Sequence, residues 1–420
     1  MNREVSLRDP EQSQECGSLD EAVQSGGGSV ALLTGGDDKS YAMALACSLA
    51  AEGTFVDFIG SDKLDDPRLR NNSLIEFRNL RGDQRENAPF LTKLARILKY
   101  YARLIAYAAR ARPGIFHILW NNKFETFDRT LLMIWYRICG RRVVLTAHNV
   151  NAARRDNRDS IINRLTLRIQ YHLCDHIFVH TERMKQAMHQ EFGVEERRIS
   201  VIPFGINDTV PRTSMTASEA KGRLGLAPDE LALLFFGQIA PYKGVAHLVE
   251  TLPAVLQRIP RLRLVIAGKV KKGSEGYWQE VARKIRPYDE HVICRIEHIP
   301  DGDVELYFKA ADVLVLPYVS IFQSGVPFLA YSFGLPVIAT DVGSLREDVI
   351  EGKTGFVCAP EDPAELARAI ERYRTSDLYR DLERTRKRIA ASAYERHSWT
   401  TVARVTRAVY GSLERSVSVS

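Results

Sequence analysis

Short apolar runs alternate with stretches of helical spacing along this chain, and they do so in two successive series. That alternation is the strongest constraint on the fold, because strands joined by crossover helices must lie parallel in a sheet covered on both faces. The first series has apolar runs at 29–34, 54–59, 115–120, 143–147, 177–180 and 200–203, with helical segments at 37–52, 93–112, 129–139 and 161–173. Residues 205–222 then turn to Asn, Asp, Thr, Ser and Pro with no apolar period, which reads as a linker and hinge. The second series has runs at 231–237, 263–267, 292–296, 313–316 and 337–340, separated by helical segments at 244–258, 277–286, 304–311, 324–333 and 363–373. The pattern predicts an α/β chain of two doubly wound parallel-sheet domains, 29–208 and 209–395. Ligands of such sheets bind beyond the carboxyl ends of the strands.

A length of 420 residues suits two domains, and 45% hydrophobic with 26% charged residues are globular values that set aside disordered and fibrous classes. Residues 1–28, polar and ending in Ser25-Gly26-Gly27-Gly28, read as a flexible tail without the apolar core of a signal peptide. No run reaches the roughly eighteen apolar residues that cross a bilayer. Cys16, Cys47, Cys139, Cys174, Cys294 and Cys358 stand singly, with no C-x-x-C pair, which fits reduced thiols in a cytoplasmic protein and offers no metal site. The net charge of +6 is too small to argue for nucleic acid, and no nucleic-acid motif accompanies it.

Four segments carry candidate chemistry. Thr34-Gly35-Gly36-Asp37 lies between a strand and a helix, as either a tight structural turn or a place where backbone N–H groups approach an anion or hydroxyl. His148 and Asn149 follow the run 143–147 at the cleft edge, and His148 is either a satisfied structural histidine or a ligand-facing one. Lys243, after Phe236-Gly237-Gln238, is expected in the first turn of a helix. There its charge opposes the positive end of the dipole unless an anion lies between them; the plain alternative is that it points to solvent. In Gln323-Ser324-Gly325-Val326, Ser324 is expected to cap a helix and leave the Gly325 and Val326 amides free for a diphosphate.

One helix stands apart by its charge. Lys93, Arg96, Lys99, Arg103, Arg110 and Arg112 oppose a stripe of Leu94, Ile97, Leu98, Tyr101, Leu104 and Ile105, with no acid in the segment. Such a helix suits anionic lipid headgroups, or it is a core helix with a solvated basic face.

In these elements the chain resembles the GT-B glycosyltransferases, and in particular the retaining glycosyltransferase family 4 of the polysaccharide-biosynthesis type. The resemblance covers almost everything after residue 28. It is carried by Phe236-Gly237-Gln238 through Lys243-Gly244, by 264–268, by 317–341 and by Gly352-Lys353-Thr354-Gly355-Phe356. It implies two Rossmann-like domains facing each other across a cleft, with residues 396–420 similar to the terminal helix that crosses back to the first domain. It further implies that Lys243 binds the donor pyrophosphate together with the amides of Ser324, Gly325 and Val326. Gly237, Gln238 and Gln323 would lie in the same donor site, His148 would reach the donor sugar, and Gly35, Gly36 and Asp37 would face phosphate and acceptor. No metal and no cofactor are implied beyond a nucleoside-diphosphate sugar as co-substrate.

Two departures from the family pattern matter. Gln238 stands where an arginine usually pairs with the lysine, which removes a charge-assisted donor. The paired glutamates of the E-x7-E element are missing around Ile321 and at Leu329, so ribose contact is expected from Glu347 or from backbone groups. Gln-Ser-Gly in place of the acid is similar to a subgroup of polysaccharide-building members. The reaction implied is transfer, with retention, to a glycan or lipid-linked acceptor in exopolysaccharide or cell-surface glycan biosynthesis, by an enzyme that is cytoplasmic or peripheral at the inner membrane face. Two other readings stay open. A nucleotide-sugar epimerase or hydrolase on this scaffold would need carboxylates in the cleft, and a non-catalytic nucleotide-sugar-binding partner would bind without turnover.

Overall fold

A computed structural model of the chain describes residues 28–35, 38–85, 89–155, 158–207 and 210–415. Of the expected tail at 1–28, all but Gly28 lies outside the described residues, as do Gly36 and Asp37.

Seven strands form the first sheet: β1 (Ser29–Leu33), β2 (Phe55–Gly60), β3 (Ile75–Asn79), β4 (Ile115–Ile118), β5 (Arg142–Thr146), β6 (His176–Val179) and β7 (Ile199–Val201). Their order is β3-β2-β1-β4-β5-β6-β7, all parallel. The second sheet holds β8 (Leu231–Phe236), β9 (Leu262–Ala267), β10 (Val292–Arg295), β11 (Val313–Leu316), β12 (Val337–Thr340) and β13 (Gly355–Cys358), in the order β10-β9-β8-β11-β12-β13. Helices cover both faces, so central strands such as β2, β11 and β12 are buried at every position, and continuous apolar sequence is what such strands require. Strand order reverses between β1 and β4 in one sheet and between β8 and β11 in the other. Those are the two points where a doubly wound sheet opens a crevice.

Several elements differ from the sequence expectation for local reasons. β3 is an edge strand whose Ile75 and Phe77 alternate with Glu76 and Arg78, which is too polar to stand out as an apolar run. The segment 205–222, expected as a linker and hinge, runs into the helix Ala217–Arg223. A capping box opens it: Glu219 N donates to Thr216 Oγ1 (3.2 Å), and Thr216 N donates to Glu219 Oε2 (2.7 Å). Lys221 then ties the segment to the second core through its ion pair with Asp312 at 2.9 Å. The helix expected over 244–258 breaks at Thr251 into Val245–Glu250 and Leu252–Arg258, because Pro253 has no N–H to continue the ladder.

The helix Trp399–Arg415 packs away from the second sheet. Its Val402, Ala403 and Tyr410 are buried in the core around β1 and β2, and the Tyr410 hydroxyl lies 2.6 Å from His117 Nδ1 on β4. Trp399 at its start packs against both cores, and its Nε1 donates to Ile206 O at 2.8 Å.

Candidate active site

The loops leaving β8 and β11 meet at the second sheet's switch point. Val319 N donates to Tyr242 O at 2.9 Å. Gly244 adopts φ 65°, and any Cβ there would collide with the Pro317 carbonyl, so only glycine lets the two loops close on each other. A Cβ at Gly237 would lie 3.7 Å from Val326 Cγ2, which sets the β8 turn against the start of the helix Val326–Ser332. Lys243 is 7% exposed, with Nζ 3.7 Å from the centroid of the Tyr318 ring. The Tyr318 hydroxyl in turn lies 3.4 Å from Ser324 Oγ. Lys243 and Ser324 therefore share one buried aromatic neighbour, and the structure brings them together.

Two local expectations are corrected. Lys243 ends the 3-10 turn Pro241–Lys243 and precedes the helix Val245–Glu250, so it does not sit in a first helical turn. The Tyr318 π face supplies its favourable electrostatics instead. Gly325, not Ser324, occupies the N-cap position, and the helix amide that Ser324 Oγ accepts from is that of Val326, at a long 3.4 Å. Gln238 is exposed on the same loop.

The positions of the missing acids are filled by apolar packing, since Ile321 and Leu329 are both buried in the second core. The carboxylate that Gln323 meets is Asp348, with Gln323 Nε2 donating to its Oδ2 at 3.5 Å and Ser344 Oγ donating to the same oxygen at 2.7 Å. Burial pushes the Asp348 carboxyl up to about 7, with Ser344 opposing the rise. Sequence reasoning missed Asp348; the signal lay one residue beyond Glu347, and only the fold turns it toward Gln323. Glu347 itself is exposed. Burial raises its carboxyl too, Arg183 of the first domain lowers it, and Glu182 raises it. It therefore faces the opposite domain, and Arg183 also donates to Gly343 O at 3.4 Å.

On the first domain His148 sits between aromatic rings. It stacks on Trp120 at 4.4 Å and meets Tyr41 edge-on at 4.7 Å. Its Nδ1 lies 3.0 Å from His180 Nε2, and His180 Nδ1 lies 3.3 Å from Ile202 O. A carbonyl can only accept, so His180 donates from Nδ1. Burial holds the His180 ring down at about 4, with that bond opposing, so its Nε2 carries no proton and accepts from His148 Nδ1–H. Burial first, then His180 and His117, keep His148 well below the ordinary histidine range. Its Nε2 is left as a bare, buried acceptor with no partner among the described residues.

The two halves meet through Phe204. Its ring stacks on Phe328 at 5.1 Å, lies 6.2 Å from His148, and would be 3.5 Å from a Cβ at Gly325. Phe322, from the loop after β11, packs against the first domain's core. His148 and the Ser324–Val326 turn thus flank one aromatic ring.

Gly35 follows β1 with φ 50°, and a Cβ there would strike the Trp120 carbonyl, so the turn after β1 is held tight against the turn after β4. The basic helix Phe90–Arg110 is also partly reassigned. Leu98 is exposed and not part of the inward stripe, while Lys93 and Arg96 turn into a cavity beside Gly35. The outward face instead carries Leu91, Ala95, Leu98, Ala102 and Ala106 beside Lys99 and Arg103. Among the described residues no group of three or more His, Cys, Asp or Glu is arranged to hold a metal ion, and no helix is long and apolar enough to cross a membrane.

Comparison with known proteins agrees with this architecture. The family described as Glycosyltransferase Family 4 matches residues 39–210, and that described as Glycosyl transferases group 1 matches residues 230–375. A D-inositol 3-phosphate glycosyltransferase of Streptomyces avermitilis is 29% identical over 246 residues, covering 56% of this chain and 52% of that protein. The corresponding protein of Streptomyces griseus is 33% identical over 228 residues, covering 52% and 47%. The chain thus spans about half the length of these curated relatives. Among solved structures, sucrose-phosphate synthase from Thermosynechococcus elongatus superposes with a TM-score of 0.71 at 21% identity, covering 93% of this chain and 100% of that one. The Anabaena protein HepE in complex with UDP and glucose superposes with 0.68 at 18%, covering 91% and 99%. With a family match on each half and the paired parallel sheets of the GT-B fold, the chain belongs to glycosyltransferase family 4.

Proposed function

We propose that the chain transfers a sugar, with retention and without a metal, from a nucleoside-diphosphate sugar to a glycan or lipid-linked acceptor in exopolysaccharide or cell-surface glycan biosynthesis. The observation that carries this reading is the convergence of Lys243 and Ser324 on Tyr318, facing His148 across Phe204. The Lys243 ammonium, with the amides of Ser324 to Val326, neutralises the departing diphosphate. Gly237 and Gln238 border it, and Gln323 with Glu347 line the nucleoside side. The bare Nε2 of His148 is an acceptor that a donor-sugar hydroxyl would satisfy. Charge neutralised by fixed groups in a closing cleft lowers the barrier without reorganisation at the moment of reaction. The incoming hydroxyl gives its proton to a donor phosphate oxygen, so no protein base is required. The UDP and glucose bound by HepE make a uridine-diphosphate hexose the first donor to try.

A thermal-shift panel of uridine-, guanosine- and adenosine-diphosphate sugars tests the donor site, since a ligand bound only to the folded state raises its midpoint. One class should raise it by several degrees, and a flat panel contradicts the reading. Transfer should then persist in EDTA and give the donor's anomer by NMR; loss of activity in chelator, or the inverted anomer, removes those two elements. The outward stripe of the helix Phe90–Arg110, with its flanking Lys99 and Arg103, supports residence at the inner membrane face. Co-sedimentation with phosphatidylglycerol vesicles is expected, and its absence at low salt rejects that residence.

A further inference from the structure

A cavity of about 640 Å3 opens beside Gly35, on the first domain's side of the gap and apart from the Lys243 site. Lys63, Arg81, Lys93, Arg96 and Lys123 of the first domain line it, and Lys272 reaches it from the loop after β9. Asp83 is the one carboxylate among its described lining residues, and it is already paired with Arg85 at 2.7 Å and Arg96 at 3.1 Å. Lys63, Lys93 and Lys123 have no carboxylate within ion-pair distance among the described residues. Among the described residues Arg81 has no carboxylate within ion-pair distance and is fixed by other groups. Its guanidinium lies 4.8 Å from the centroid of the Tyr100 ring and donates to Asn122 Oδ1 at 2.7 Å. Tyr100 donates to that same oxygen at 2.6 Å, and Asn122 Nδ2 is anchored on buried Asp128 at 3.1 Å.

Like charges gathered in a concave wall repel one another, and the wall concentrates their field on whatever anion enters. A single carboxylate would leave most of that charge uncompensated, whereas a phosphate group brings about −1.5 to −2 and three acceptor oxygens. We infer that this cavity binds a phosphate or diphosphate group carried by the acceptor, so that the enzyme glycosylates a phosphorylated acceptor. This rests on the donor site proposed above and adds the acceptor's chemical class to it. The group comes either from a soluble sugar phosphate or from the diphosphate of a lipid carrier. Phe90 and Leu91, 77% and 76% exposed in the helical turn that carries Lys93, provide apolar surface for the second source.

The test uses the full chain with inorganic pyrophosphate as the calorimetric probe, in a Lys243→Met background that disables the donor site. Pyrophosphate should bind that protein, and adding Arg81→Gln and Lys93→Gln should weaken it by about tenfold or more. Lys123→Gln, at an exposed position, should weaken it in the same direction and guards against misfolding of the double variant. On an otherwise native chain, the same cavity substitutions should leave nucleoside-diphosphate binding unchanged. Equal pyrophosphate affinity with and without the cavity lysines and arginine overturns the inference. A Lys243→Met protein that keeps full affinity for the nucleoside diphosphate instead overturns the donor-site reading, so the two failures are distinguishable. Phosphatidylcholine vesicles doped with a polyprenyl diphosphate, compared with a soluble hexose phosphate, separate the sources. Cavity-dependent retention on the doped vesicles assigns a lipid carrier, cavity-dependent binding of the hexose phosphate assigns a soluble acceptor, and dependence in neither arm contradicts the proposal.

Discussion

At the scale of single residues, the arrangement around His148 shows how a neighbour can set a histidine's chemistry. The Ile202 carbonyl fixes the proton on His180 Nδ1, His180 Nε2 accepts a hydrogen bond from His148 Nδ1–H, and His148 Nε2 is left bare and buried, with no partner among the described residues. His180 is in this sense a positioning residue, and His180→Ala frees the His148 tautomer without removing the ring. Turnover should fall by about tenfold, by analogy with loss of the outer partner of a ligating histidine, with donor affinity nearly retained. Unchanged turnover would show that the tautomer does not matter. His148 was legible from its place after an apolar run, but its partner was not: His180 lies 32 positions away, and only the pairing of β5 with β6 brings the two together.

At the scale of elements, apolar alternation revealed most strands, because strands buried on both faces have little freedom of composition. What it missed was polar or short. The edge strand β3 alternates, β13 hides in a glycine turn, and the helices Glu182–Phe192 and Leu382–Arg396 carry too many charges to read clearly. The Lys243 loop was found by its residues but misplaced by one turn, since only coordinates reveal that Gly244 is left-handed and touches Pro317. Gly244→Ala therefore pits a Cβ against a carbonyl in a conformation already costing about 1–2 kcal/mol. It should destabilise the second domain by more than about 2 kcal/mol in urea unfolding and weaken nucleotide binding. A variant as stable as the parent would mean the two loops are not held together as described.

At the scale of the whole molecule, two lobes are joined by Phe204, His397 and Trp399, and buried histidines lie near that joint and under the first sheet. Burial lowers His117 to about 3 and His176, His180 and His397 to about 4, and holds His148 well below the ordinary histidine range. These rings stay neutral when folded and take protons when unfolded below about 6.5. The unfolded state therefore binds more protons there, and stability present above 6.5 is lost as pH falls toward 4. Asp348, which keeps its proton up to about 7, has the opposite sign, as do Asp38, Glu76, Asp128, Glu347 and Glu414, whose carboxyls burial also raises; the five histidines outweigh them. The melting temperature should drop steeply between pH 6.5 and 4.5, and a flat profile in that window contradicts the burial described.

The central claim is that Lys243, set against Tyr318 and beside Ser324, grips the donor diphosphate between the lobes. Steady-state transfer by Lys243→Met, which keeps the aliphatic stem and removes the charge, tests it most directly. The account predicts a loss of about a hundredfold or more in turnover, the size seen when one charge-stabilising donor is removed, with an unchanged melting temperature in the absence of ligand. A Lys243→Met enzyme that transfers sugar at the parental rate would contradict it.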